Sequence, residues 1–207
     1  MVKMVEVIVR DPDGKVVKRV AVNEELFNEV LRRRVEKSGN DMATSWFFRI
    51  LLAVFGPAGV GGTTSATYVD TGGVSRTQDF KKPMYAAGVT FPILFCFLNT
   101  GYCNNRLWIG YGSSRTAPTR TDYKLGSKIA EGLAGVTANE VQGTLTISAS
   151  FTMSTDTVVY EVGLEWEGTV SGCSTCGRVL LDRTVFPDGI SVGAGQTMAV
   201  VYRFIFP

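Results

Sequence analysis

Two runs in the last third of the chain alternate apolar and polar residues with almost no break. Val141, Gly143, Leu145, Ile147, Ala149, Phe151 and Met153 interleave with Gln142, Thr144, Thr146, Ser148, Ser150 and Thr152. Val158, Tyr160, Val162, Leu164 and Trp166 then interleave with Glu161, Glu165 and Glu167. Successive side chains on a strand point to opposite faces, so each run predicts a strand with one buried face and one face toward solvent or a partner. Two such strands in succession are the mark of an antiparallel sandwich. They also limit function, because this part of the chain is built as a rigid wall.

The 207 residues suffice for one well-buried domain, or a domain with an appendage. Lys and Arg number 21 against 19 Asp and Glu, and a net charge of +2 gives no general attraction to nucleic acid or an anionic membrane. Binding of either kind would need a local patch, and neither is expected as a partner. The 23 glycines and the charged fraction of 19% suit an all-β chain with many turns. Histidine is absent, which removes His-dependent triads, the commonest general base and the commonest metal ligand. The chain is therefore not expected to be an enzyme, and no cofactor or metal is needed. The first fifteen residues, MVKMVEVIVRDPDGK, carry early charge and lack the apolar core and small-residue cleavage site of a secretory signal. Synthesis and assembly in the cytoplasm are the expectation.

From the N-terminus, Val5, Val7 and Val9 alternate up to Asp11-Pro12-Asp13-Gly14, and Val16, Val17, Val20 and Val22 follow. Proline presets the turn and glycine supplies positive φ, so this is a hairpin. Asn23 is positioned to cap a helix from about Glu24 to Lys37, with Leu26, Phe27, Val30, Leu31 and Val35 on one face. Asp41 is positioned to cap a second helix to about Phe55, on which Trp46, Phe47, Ile50, Leu51 and Val54 form an apolar side interrupted by Arg49. That stretch is too short to span a bilayer, which takes about 20 apolar residues. It suits a core or interface helix, or one docking on another subunit, better than a membrane contact.

Short β segments and turns follow, with strands predicted near Ala66 to Asp70, Val89 to Leu98, Arg106 to Tyr111, Leu125 to Ala130, Gln142 to Ser154, Thr157 to Glu167, Arg178 to Phe186 and Thr197 to Phe206. Strands of this kind fit two packed antiparallel sheets, most naturally a jelly-roll-like β-sandwich. The expected organisation is a hairpin and two helices over residues 1–55, a Gly-rich linker over 56–63 and the sandwich over 64–207. On this division, deleting residues 1–55 leaves a folded but unassembled domain.

Gly56-Pro57-Ala58-Gly59-Val60-Gly61-Gly62-Thr63 has the spacing of a phosphate-binding loop, but Gly62 stands where that loop needs lysine, and the segment follows a predicted helix instead of a strand. It reads as a linker. Cys96 with Cys103, and Cys173 with Cys176, form two close pairs. Local disulfides at two loop tips, free thiols and a zinc site are all compatible with these spacings, and bridges would suit an oxidising exterior or a hyperthermophile. Arg32, Arg33, Arg34 and Lys37 make a basic strip, read as a solvated face or as an arm toward nucleic acid. Glu161, Glu165 and Glu167 share a strand face and could ligate a cation or pair across a subunit contact; an exposed polar face is the simpler expectation. Tyr102, Trp108 and Tyr111 could serve glycan or partner binding, with Trp108 better suited to the core.

The block Ile109-Gly110-Tyr111-Gly112-Ser113-Ser114-Arg115-Thr116-Ala117-Pro118-Thr119-Arg120-Thr121-Asp122-Tyr123-Lys124-Leu125 resembles a recurrent block in structural proteins of bacteriophages and archaeal viruses. Tyr160-Glu161-Val162-Gly163-Leu164, the step Leu180 to Phe186 and the segment Val192 to Thr197 are similar to the same group in the same order, over about residues 60 to 207. The resemblance implies a virion protein of capsid, turret, decoration or tail-fibre type, assembled in the host cytoplasm, and brings no catalytic residues with it. Its partners would be copies of itself, other virion proteins and a host surface receptor. The expected function is self-assembly through the N-terminal segment and sheet edges, with Trp46, Phe47, Ile50 and Leu51 as the assembly interface. A receptor- or glycan-binding head of a tail fibre and an extracellular filament subunit are the alternatives.

Overall fold

The computed structural model describes residues 2–25, 41–43, 63–81, 106–139, 144–167 and 178–205. All regular structure among them is strand: β1 (Val2–Arg10), β2 (Val16–Glu25), β3 (Asp41–Ala43), β4 (Thr63–Val69), β5 (Ser75–Lys81), β6 (Arg106–Gly112), β7 (Lys128–Leu133), β8 (Gly135–Asn139), β9 (Thr144–Thr152), β10 (Thr157–Glu167), β11 (Val179–Val192) and β12 (Thr197–Ile205). Sheet A has the order β2-β1-β12-β9-β8 and sheet B the order β3-β11-β10-β6-β7, while β4 and β5 form a separate two-stranded ribbon. Every pairing is antiparallel.

The alternation seen in the sequence builds the space between the sheets. Val5, Val7 and Val9 of β1, Leu145, Ile147 and Ala149 of β9, and Met198, Val200, Tyr202 and Phe204 of β12 face Leu107, Ile109 and Tyr111 of β6 and Val162, Leu164 and Trp166 of β10 in one core. Burying each large side chain contributes about 1.5 to 3 kcal/mol. The strict alternation of β10 breaks once. Val159 is buried and Val158 is exposed, and the register with β11 shifts between Val159 and Glu161. There β11 bulges through Phe186, Pro187, Asp188 and Gly189 opposite Tyr160. Gly189 has φ +68, and a Cβ on it would stand 2.7 Å from both the Tyr160 ring and Val158, so glycine alone fits the bulge.

Several expectations are corrected. The hairpin is not part of an appendage: β1 lies between β2 and β12, and its valines are core residues, so removing residues 1–55 would strip two strands from sheet A. Asn23, Glu24 and Glu25 continue β2 instead of starting a helix, and Asp41 pairs with Thr184 in β3 instead of capping one. Backbone pairing to neighbouring strands outweighs the local capping signal. Residues 26–40 and 44–62, where the rest of the two helices and the linker were expected, lie outside the described residues, as does the strand expected at Val89 to Leu98. The β7 strand begins at Lys128, and Leu125 precedes it.

One ion pair joins the sheets through the core. Lys3 shares the parity of Val5, Val7 and Val9, and its ammonium bonds the Asp182 carboxylate of β11; both side chains are almost wholly buried. Thr184 donates a further hydrogen bond to Asp182 at 3.3 Å. Removing one partner of such a pair leaves an uncompensated charge and costs about 3 to 5 kcal/mol. Lys3→Met is therefore expected to lower unfolding stability by that amount in urea titrations, and Lys3→Met/Asp182→Leu to recover most of it. A single variant as stable as the parent would contradict the buried pairing.

Candidate functional site

Sheet B carries a cluster of charged side chains on the face turned away from the core. Glu161, Gly163 and Glu165 of β10 point there, beside Trp108, Gly110 and Gly112 of β6, their register partners being Glu161↔Gly112, Gly163↔Gly110 and Glu165↔Trp108. A strap of residues 113–127 runs over this face between β6 and β7, and its neck is closed where Gly112 pairs with Lys128 and Ser113 N–H donates to Ser127 O at 2.9 Å.

Leu125 is the strap's apolar plug and is 3% exposed. It fits because the strands beneath it lack side chains: a Cβ on Gly163 would stand 2.7 Å from Leu125, and one on Gly110 would stand 3.0 Å from it. Glu161 supplies the polar fastening. Its carboxylate accepts hydrogen bonds from the N–H groups of Ser127 (2.7 Å), Gly126 (3.0 Å) and Ser114 (3.4 Å), and from Arg183 Nε at 2.8 Å. Arg183 reaches the strap with its other nitrogens, donating to Asp122 at 2.8 Å and to Ser114 Oγ at 3.3 Å. Asp122 meanwhile holds the strap's turn, accepting from Thr119 N–H at 3.0 Å and Thr119 Oγ1 at 2.6 Å. Burial alone would lower the Arg183 pKa, but the hydrogen bonds and charges of Asp122 and Glu161 raise it, so the guanidinium is held in its charged form.

A second cluster lies along the same face. Glu165, wholly buried, meets Lys128 Nζ at 2.5 Å and Arg178 at 3.9 Å. Arg178 also binds Glu131, approaches Glu167 at 3.6 Å and lies 3.9 Å over the Trp108 ring, whose Nε1–H donates to Glu167 at 2.6 Å. Burial tends to lower the Lys128 pKa, and Glu131 and Glu165 more than reverse this. For Glu131, burial raises the pKa and the hydrogen bonds and charges of Lys128 and Arg178 bring it below the ordinary value.

The simpler expectation of an exposed glutamate face is thus corrected. Glu161 and Glu165 have no exposure, because the strap and the neighbouring cations cover a face that alternation alone assigns to solvent. Tyr111 is corrected as well: it is a core residue, edge-on to Phe151 at 4.9 Å, with its hydroxyl on Met153 Sδ at 3.5 Å. Trp108 leaves the core and lies half-buried on the outer face. Trp46, Phe47, Ile50 and Leu51, the cysteines Cys96, Cys103, Cys173 and Cys176, the basic strip Arg32 to Lys37, and Tyr102 lie outside the described residues. Among the described residues no group of His, Cys, Asp or Glu is arranged to hold a metal ion. No described helix is long and apolar enough to cross a membrane. The groups that sequence reasoning missed are Arg183, Asp122, Lys128 and Arg178; their roles arise from contacts far apart in the chain.

The ribbon turn repeats the pattern on a smaller scale. The Asp70 carboxylate accepts from Val74 N–H (2.8 Å), Gly72 N–H (2.9 Å) and Arg76 Nε (2.8 Å). Burial pushes its pKa up, and these bonds together bring it below the usual aspartate value.

The sign of the pH dependence follows. Asp70 and Glu131 titrate lower in the folded chain than in the unfolded one, so their stabilisation is complete above the unfolded carboxylate range, about pH 4 to 4.5, and is lost as pH falls through the lower folded values. Lys128 titrates higher when folded, so its share is present below about pH 10 and is lost in stronger alkali. Glu131→Gln is expected to lower stability by roughly 0.5 to 1 kcal/mol at neutral pH and to flatten the acid limb of a Tm-against-pH profile. An acid limb as steep as that of the parent would contradict the assigned partners.

Comparison with protein-family models, characterised proteins and solved structures finds no match to this chain.

Proposed function

We propose that this protein is a self-assembling structural subunit of the virion-coat type, with a roll-like sandwich as its wall. The observation that carries the reading is where the buried charge goes. Glu6 is shared by Arg19 and Arg203, Asp70 binds Arg76, Glu161 binds Arg183, Glu165 binds Lys128 and Arg178, and Asp182 binds Lys3. Among the described residues, each buried carboxylate fastens one part of the chain to another. Such a distribution yields rigidity and a fixed register, which a repeating coat needs. Two further features support the reading. The first strand closes on the last, β1 on β12, while β3 closes on β11, the nested pattern of a rolled sandwich. The block from Ile109 to Leu125 that resembles viral structural proteins is the strap with the strand leading into it.

Assembly would use the sheet edges together with the apolar segment Trp46, Phe47, Ile50 and Leu51. Large apolar side chains are exposed on two edge strands, Val16 and Val17 on β2 and Ile129 and Leu133 on β7. Nothing in the environment of Trp108, stacked beneath Arg178, favours a glycan-binding head.

Negative-stain microscopy with light scattering on the purified chain is expected to reveal closed rings, shells or tubes of one repeating subunit. Trp46→Ser/Phe47→Ser is expected to reduce them while the β-sheet circular dichroism is kept. A chain that stays monomeric at concentrations of tens of micromolar and above would overturn the reading.

A further inference from the structure

The edges of the two sheets differ in how well they are protected. Among the described residues, the β8 edge of sheet A is five residues long and the β3 edge of sheet B three. The β7 edge is six residues long and is broken by a register shift opposite Tyr111 and Gly112. Short and bulged edges discourage further pairing. The β2 edge is different. It is ten residues long and contains neither Gly nor Pro; its one shift against β1 lies at its start, between Lys18 and Val16, and from Lys18 to Glu25 it follows β1 without a break. It has β1 on one side and no strand on the other among the described residues.

Its charges are arranged by position. Lys18 and Arg19 lie toward its beginning and Glu24 and Glu25 at its end, with Val20, Ala21 and Val22 between them. Lys18, Arg19, Ala21 and Asn23 are exposed, whereas Val20 and Val22 pack against the edge of the core. Positive charge on an edge strand ordinarily repels another edge. Here the same strand carries the opposite charge at its far end, so a reversed copy of β2 is its own complement.

Geometry narrows the register. In an antiparallel pair about a two-fold axis normal to the sheet, facing residues share a sheet face, so their numbers must sum to an even value. With Ala21 on the axis, Lys18 falls opposite Glu24, Val20 opposite Val22 and Arg19 opposite Asn23. With Val20 central, Lys18 falls opposite Val22; with Val22 central, Glu24 falls opposite Val20, and the pair gained, Arg19 with Glu25, calls on an arginine already bound to Glu6 at 3.1 Å. We propose that the edge of β2 away from β1 pairs antiparallel with β2 of a second copy about a two-fold axis at Ala21, joining two five-stranded sheets A into one continuous sheet. This rests on the self-assembly reading and names the contact that begins it. The valines extend the core across the junction, and Lys18 with Glu24 selects the register twice, once on each side of the axis.

The test uses the full chain in sedimentation velocity and light scattering, with circular dichroism as the check on folding. Lys18→Glu turns both attractive positions repulsive and is expected to weaken self-association about tenfold or more. Glu24→Lys is expected to do the same, and Lys18→Glu/Glu24→Lys to restore it. Ala21→Cys, with its Cα atoms facing each other across the axis at about 4.5 to 5.5 Å, is expected to cross-link two copies under mild oxidation beyond the level of the parent. Association unchanged in Lys18→Glu, a double variant as weak as the single ones, or no added cross-link at residue 21 would overturn β2 pairing while leaving self-assembly through another surface intact. A parent chain that does not associate at all would overturn both.

Discussion

The carboxylate of Glu161 is buried with no exposure, and the outer half of sheet B is organised around the need to satisfy it. An isolated charge in that position would be costly, and one cation would answer only part of its hydrogen-bonding capacity. Arg183 supplies the cation, and the remaining bonds come from N–H groups of Ser114, Gly126 and Ser127, at the two ends of the strap. One side chain thus brings together both ends of a long excursion. Arg183 completes the arrangement by reaching Asp122 near the strap's middle. Space for the strap comes from glycines: a Cβ on Gly112 would stand 2.2 Å from Ser127 O, and one on Gly163 would meet Leu125.

The same logic recurs elsewhere at the cost of desolvating charge. Lys3 and Asp182 lock sheet A to sheet B, and Glu6 ties β1 to β2 through Arg19 and to β12 through Arg203. Buried ion pairs of this sort add little net stability compared with well-packed apolar residues, but mispairing them is expensive. Their value lies in admitting one register and rejecting its neighbours. In a wall made of alternating strands, where a slip of one residue exchanges the faces, that discrimination holds the strands in a single register.

Much of the architecture was legible from periodicity, because burial of one face is a local property repeated every second residue. The bounds of β10 at Thr157 and Glu167, the turn from Asp11 to Gly14 and the strand from Thr197 follow from alternation and turn residues alone. The local signal misled where pairing partners decide. Asn23 and Asp41 have the chemistry of helix caps, yet both lie in strands held by β1 and β11. The burial of Glu161 and Glu165 was not legible, since the strap and the cations that cover them come from elsewhere in the chain. Lys3 could have been found: its parity with Val5, Val7 and Val9 already places it on the core face, and a lysine there demands an anion.

Amide hydrogen exchange of the strap tests the central claim most directly. Gly126 and Ser127 are exposed residues in a segment without regular structure, and as an ordinary surface loop their amides would exchange within seconds. If Glu161 and Arg183 fasten the strap as described, those two amides are protected to an extent comparable with the strands β6 and β10, and Arg183→Met abolishes the protection while the strand amides keep theirs. Rapid exchange of Gly126 and Ser127 in the parent chain would contradict the account.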